Sequence, residues 1–548
     1  MTGGWAAKEL TALGLRTLVL EAGRPISPER DAREHVAPFE MPFRGLGDRK
    51  HIDARQTVQQ KSVTFDEMSH QFWTDDIDNP YTTSDTRRFD WFRSRQVGGK
   101  SIIWGRQAYR MSDLDFGANA RDGIAVDWPI RYADIAPWYD TVERFIGVSG
   151  QAERLSQLPD GAFLPPMAMN CVEQHVQSRI AAKYGRERVL TIGRAAVLTT
   201  AMNGRAPCHY CGPCHRGCST RSYFSSVNAT LPVAQATGRM TLRPFSVVRS
   251  LVYDATRRRV SGVRVIDMRT GSEHSFSARI VFLCASAIES ARLLLNSVSP
   301  QFPNGLANSS DQVGRNIMDH IKWGGATGQI DGFDDRRVIG ERPNGIYVPR
   351  FRNVSAPHPD FLRGYGFQGG AGRSGWDAAA RAPGLGAAFK QRLTTPGPWS
   401  MSFAGFGEML PRATNRATID PTLKDRWGVP ALHIEAQWSE NELAIHRDMG
   451  VTASELLDAA GARNIRAHTH GPSTPGNANH EMGAARMGRD PKTSVLNGWN
   501  QAWDVPNLFI TDGAFMTSSG CQNPSLTYMA MTARACHHAV QELKRRNI

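Results

Sequence analysis

Residues 2–23, TGGWAAKELTALGLRTLVLEAG, are the stretch on which the reading of the fold turns. Trp5, Ala6, Leu10 and Leu13 fall at helical spacing, Gly14 closes that stripe, and Thr17-Leu18-Val19-Leu20 is an apolar run ending at Glu21. A helix followed by a buried strand tipped with an acid is the second half of a strand-helix-strand dinucleotide unit, in which the acid hydrogen-bonds a ribose hydroxyl. The complete unit opens on an apolar strand and G-x-G-x-x-G, whereas this sequence begins Met1-Thr2-Gly3-Gly4, with Gly3 standing for the last glycine. The first strand and first glycines are expected either about 10 to 15 residues upstream of this start or to be missing from a shortened chain.

Working outward, residues 279–283 read as a strand leading into a helix with good formers from Ala287 to Leu295. Residues 507–512 read as another buried strand, with Asp512 at its carboxyl tip, the place that faces the ligand crevice in an open α/β sheet. Between about residues 330 and 470 the texture changes to Gly- and Pro-rich segments with short alternating runs at 399–406 and 431–437. That pattern predicts an antiparallel sheet in a second, substrate-facing domain. No internal repeat or low-complexity tract interrupts the chain.

An apolar fraction of 41% and a charged fraction of 21% over 548 residues are those of a globular protein with a large core. The net charge of +13 is spread along the chain, and its densest runs, Arg257-Arg258-Arg259 and Lys544-Arg545-Arg546, are too short for a nucleic-acid-binding stripe. No stretch approaches the roughly 18 apolar residues of a membrane span, and the N-terminus lacks the pattern of an export signal.

Of eight cysteines, four crowd into Cys208-x2-Cys211-x2-Cys214-x3-Cys218. The spacing matches the run that wraps an iron-sulfur cluster, except that Ser219 stands where the ferredoxin pattern has Pro. Zinc is the alternative, although structural zinc sites pair knuckles from separated turns, and a metal-free loop is the third reading.

Four segments together resemble the glucose-methanol-choline oxidoreductases. They are Thr2-Gly3-Gly4-Trp5 with Leu18 to Gly23, the Val97-Gly98-Gly99-Lys100-Ser101-Ile102-Ile103-Trp104-Gly105 run, Gly314-Arg315-Asn316-Ile317-Met318-Asp319-His320, and the stretch from His480 to Ala535. The likeness covers almost the whole chain in the family's order. Within the family it is similar to bacterial gluconate, fructose and glucose dehydrogenase large subunits and to glucoside 3-dehydrogenase.

The resemblance implies an α/β fold with a Rossmann-like FAD-binding domain drawn discontinuously from residues 1–40, 90–115, 190–330 and 475–548, including the cysteine-rich segment 205–222. A substrate-binding domain with an antiparallel sheet would take 331–474 with parts of 41–89 and 116–189. His480, leading His480-Glu481-Met482-Gly483, resembles the histidine that faces the flavin, and Asn523, in Gln522-Asn523-Pro524-Ser525, its partner. A neutral imidazole suits removal of a hydroxyl proton, and an amide suits orienting the substrate oxygen, so His480 is expected to be the base and Asn523 the stabiliser. His468 and His470, in a Gly/Pro-bounded loop, are read as surface residues.

Gly3, Glu21, Gly98, Gly99, Ser101, Asp512 and Asn523 are the expected flavin contacts, the glycines because backbone approaches closely where there is no Cβ. FAD is expected to be non-covalent, since Ile103 stands where some relatives carry an attaching histidine. In some relatives three cysteines at the separations of Cys208, Cys214 and Cys218 hold a 3Fe-4S cluster; 3Fe-4S and 4Fe-4S both remain open here, with Cys211 as fourth ligand or bystander. The expected function is oxidation of a sugar, glycoside or sugar-acid hydroxyl, with electrons passing through the cluster to a cytochrome-type or quinone acceptor. A flavin oxidase using dioxygen and a flavin-free electron-transfer or assembly subunit are the competing readings. A small partner subunit and co-export to the periplasm are expected by analogy, with a cytoplasmic location as the alternative.

Overall fold

Helix Thr2–Ala12 and strand Thr17–Leu20 form where the N-terminal pattern predicts, in a computed structural model that describes residues 1–373, 383–468 and 471–548. The strand pairs in parallel with Met240–Arg243. A second parallel pair joins Val281–Leu283 to Leu508–Ile510, so both later strands form inside their predicted ranges, and helix Ala287–Leu295 follows as expected. The two parallel pairs belong to separate sheets. Beside them, Ser246–Asp254, Arg259–Asp267 and Glu273–Ser277 make a three-stranded antiparallel sheet.

The first helix is buried because it is apolar on several sides. Ala6 and Leu10 pack on Cys536 and Val540 of the last helix, Ser525–Lys544, and Ala7 packs on Leu231 and Ala234. Trp5 is fully buried, with Phe145 edge-on at 5.2 Å. Gly4 is required by the close approach of residues 226–230, since a Cβ there would run into the hydroxyls of Thr230 and Ser226. Truncating Trp5→Ala is expected to cost about 3–5 kcal/mol by leaving a cavity at this junction, read as a lower urea midpoint at unchanged slope.

The predicted antiparallel domain is a six-stranded sheet in the order Arg463–Ala467, Ile321–Ile330, Trp399–Gly407, Tyr365–Arg373, Ile346–Val348 and Thr191–Ile192. Burial alternates along Trp399–Gly407, as a strand with one covered face requires. Helices Cys171–Tyr184 and Glu440–Ala459 supply that cover, setting Val176, Ile180, Ile445 and Met449 into one core with Phe367 and Phe403. The sheet takes in Thr191–Ile192 and Ile321–Ile330, two strands that the sequence reading assigned to the FAD-binding unit.

Strand Ile321–Ile330 is irregular at its start. Its register against Trp399–Gly407 shifts between Lys322 and Gly325, and Trp323 takes φ +73°, a conformation that an aromatic residue rarely adopts. The bulge is held by packing, because a Cβ on Gly325 would overlap the Phe403 carbonyl. Among the described residues, no helix is long and apolar enough to cross a membrane. His470 lies outside the described residues, whereas His468 bonds Thr327 Oγ1 at 3.3 Å.

Candidate active site

A cavity of about 1210 Å³ opens between the two parallel strand pairs and runs to the start of the antiparallel sheet. Gly3, Glu21, Gly98, Gly99, His480, Asp512 and Asn523 all line it, so the structure brings together six of the seven expected flavin contacts and both expected reacting residues. Ser101 is the exception. It is fully buried, donates from Oγ to the Gly98 carbonyl at 2.6 Å, and accepts from the Ser226 amide at 3.0 Å. Its hydroxyl locks the Gly98 turn, where φ is +96°, and Ser101 is not among the residues lining the cavity.

Two acids mark the strand tips. Glu21 accepts the Gly23 amide at 2.8 Å, and burial pushes its carboxyl up to about 7. Asp512 accepts the amides of Ser286 at 3.1 Å and Ala514 at 3.0 Å, and burial raises it to about 6. It thus caps the turn after its strand while presenting to the cavity, and Ser286 beside it holds φ +90°. Lys100 meets both oxygens of Glu481 at 2.7 Å, fastening the glycine turn to the residue after His480.

At His480 a chain of hydrogen bonds fixes the proton positions. His320 Nε2 lies 2.8 Å from the Gly520 carbonyl, which only accepts, so Nε2 carries the hydrogen. Burial holds the His320 pKa down to about 4, so the ring is neutral and its Nδ1 is bare. His480 Nδ1, 2.8 Å away, must therefore donate to it. Burial also holds His480 well below the ordinary imidazole value, helped by the charges of Lys322 and Lys100, which leaves a neutral ring with a bare Nε2. Asn523 Nδ2 approaches that nitrogen at 3.3 Å, and Gln368 Nε2 donates to Asn523 Oδ1 at 2.6 Å, which sets the amide's orientation.

The backbone around His480 is anchored by Asp319. One of its oxygens accepts the His480 amide at 3.1 Å, and the other accepts Gly476 at 2.8 Å and Ala478 at 3.0 Å. His320, Asp319 and Gln368 received no role from the sequence, although the Asp-His pair ended a quoted segment. For Asp319 and His320 the available signal was their place at the end of the 314–320 segment, and Gln368 left none.

The cavity fits FAD. It exceeds the about 300–1,000 Å³ of ordinary small-molecule sites. It also offers side-chain-free backbone at Gly98 and Gly99, a carboxyl at each of two strand tips, and a base and an amide along one wall. The cysteine loop fits less well. Cys208 packs with buried Cys214 and Cys218, and burial pushes the Cys211 thiol up to about 12. Yet among the described residues no three His, Cys, Asp or Glu side chains stand together as a metal-holding group. The donors suit a cluster in kind and number, and the structure does not gather them around one point.

Family models described as GMC oxidoreductase match residues 79–322 and 411–532. The chain is 30% identical over 475 residues to 2-methyl-1,2-propanediol dehydrogenase of Mycolicibacterium austroafricanum, covering 80% of this chain and 79% of that one. It is 25% identical over 563 residues to the fructose dehydrogenase large subunit of Gluconobacter japonicus, covering 99% and 96%. Among solved structures, pyridoxine 4-oxidase from Mesorbium loti shares the fold with a TM-score of 0.61 at 16% identity, over 98% of this chain and 97% of that one.

Proposed function

We propose, from the premise that the chain belongs to the GMC oxidoreductase family, that it is a dehydrogenase oxidising a hydroxyl of a sugar, glycoside or sugar acid. It is an FAD-dependent oxidoreductase acting on CH-OH groups. The observation that carries the reading is the bare Nε2 of His480, paired with the Asn523 amide on the wall of the cavity.

When bound, FAD supplies the acceptor for the hydride that leaves the carbinol carbon. Gly3, Gly98, Gly99, Glu21 and Asp512 would hold it. A substrate hydroxyl donating to His480 Nε2 gives up its proton there as the carbonyl forms. Asn523 Nδ2 turns from that nitrogen to the substrate oxygen and offsets the charge that grows on it. The imidazolium so formed donates from Nδ1 to the bare Nδ1 of His320, which spreads the new charge without moving a ring.

The finer part of the reading is that Cys208, Cys211, Cys214 and Cys218 hold an iron-sulfur cluster and that the electrons go to an external acceptor. Their number and spacing support the cluster, and a relative that is itself a large subunit supports a smaller partner subunit. A flavin oxidase is the second reading, favoured by the ungathered sulfurs.

The test is the visible spectrum of anaerobically purified protein before and after a panel of sugars and sugar acids, with iron and sulfide analysis. Flavin bands that bleach with one substrate are expected, together with three or four irons per chain. Protein that binds FAD but bleaches with none of the panel overturns the sugar reading. Bleaching in iron-free protein that consumes oxygen without an added acceptor overturns the dehydrogenase reading in favour of the oxidase.

A further inference from the structure

We propose that Lys322 selects substrates bearing a carboxylate, so that the alcohol oxidised belongs to a hydroxy acid such as an aldonate or uronate. This rests on the cavity being the site of carbinol oxidation.

Lys322 lines the same cavity as His480 and Asn523 and is 5% exposed. Among the described residues its ammonium makes no hydrogen bond or ion pair. Its carboxylate neighbour, Asp319, is committed to three backbone amides. What the ammonium does touch is the face of Trp323, with Nζ 4.6 Å from the ring centroid. Burying an ammonium without an anion is costly, and the protein answers that cost elsewhere on the same wall, where Lys100 has both oxygens of Glu481. Lys322 has the charge of Asp319 nearby, but among the described residues no carboxylate oxygen in contact with its ammonium.

The backbone shows that the placement is built in. Lys322 sits at the lip of the bulge in Ile321–Ile330, and the bulge is kept at the cost of a left-handed Trp323. Bulges next to active sites re-aim side chains, and this one sets an aromatic face and a buried cation beside His480. An aromatic face suits the C–H surface of a polyol. A single ammonium acts as a point charge on a carboxylate or a phosphate alike, so a phosphate ester tested alongside separates the two anions. Burial also holds the Lys322 pKa down to about 8, as expected of a cation awaiting its anion.

The experiment compares wild type with Lys322→Gln and Lys322→Arg as flavin-loaded protein, measuring anaerobic flavin reduction by two pairs, gluconate against sorbitol and glucuronate against glucose, with glucose 6-phosphate alongside. In wild type, kcat/KM for the acid is expected to exceed that for its neutral counterpart by about tenfold or more in at least one pair. Lys322→Gln is expected to shrink that ratio by about tenfold, mainly through KM, and Lys322→Arg to keep most of it. A wild-type ratio near one, a preference for the phosphate ester, or a Lys322→Gln loss shared equally by acid and neutral substrate overturns the proposal. If no compound reduces the flavin, the oxidation reading fails, and calorimetric titration with gluconate and sorbitol still decides the anion site. Tighter gluconate binding that disappears in Lys322→Gln upholds it, and equal binding overturns it.

Discussion

Replacing His480 by Ala is expected to lower the rate of substrate-driven flavin bleaching by roughly 10²- to 10⁴-fold, the range over which a positioned general base acts. On the proposed reading His480 is the base, since its Nδ1 donates to His320 and its Nε2, approached by the Asn523 amide, lies on the cavity wall. Its loss leaves Asn523 Nδ2 without an acceptor and the substrate proton without a destination. Rapid-mixing measurements of flavin reduction, alongside flavin content per chain, check this. A fall in rate below tenfold at full flavin content would remove His480 from the role of base. The wild-type pH profile carries the same argument. A base held well below the ordinary imidazole value is already unprotonated at neutral pH, so kcat/KM should stay level down through about pH 6.5 and fall only on further acidification, as His480 takes up a proton.

His320→Ala is expected to lower kcat by roughly 10²-fold, as misplacement of a catalytic group does, although His320 reaches the reaction only through His480. The variant removes the acceptor that keeps the hydrogen on His480 Nδ1, so the ring is free to carry it on Nε2, where it cannot act as a base. It also removes the neutral acceptor that stabilises the His480 imidazolium, so the acid limb of the pH profile should move downward. A merely structural loss would not move that limb. Gln at this position, able to donate to the Gly520 carbonyl and accept from His480 Nδ1, is expected to recover part of the rate. A His320→Ala enzyme within threefold of wild type, with an unmoved acid limb, would refute the positioning role.

Much of the site was legible where chemistry sits in short runs. Glu21 and Asp512 could be read as strand-tip acids because an apolar run ending in an acid is a local pattern. His480 and Asn523 were found through resemblance, since nothing in the spacing of a lone His and a lone Asn points to a pair. Ser101 was read as a ligand contact, whereas its hydroxyl closes the turn, a distinction that depends on which way one side chain points. Lys322, Trp323 and Gln368 stayed hidden for a physical reason. Lys322 and Trp323 matter through a bulge and Gln368 through a partner 155 residues away, and neither leaves a period in the sequence. The short strands Thr191–Ile192 and Ile346–Val348 were missed in the same way, because so few residues pair only when the rest of the sheet is in place.

The hold of Asp319 on the loop before His480 also bears on how the molecule is made. The bond from the His480 amide to Asp319 spans 161 residues, and the bond from the His320 ring to Gly520 spans 200. Contacts at such separations form late, because loop closure has to be met before they return anything. At synthesis rates of about 5–20 residues per second, the N-terminal helix waits tens of seconds for the C-terminal helix on which Ala6 and Leu10 pack. Until then its apolar faces are open to the wrong partners, so the yield of folded enzyme should depend on temperature and chaperone supply during translation more than on the stability of the finished protein.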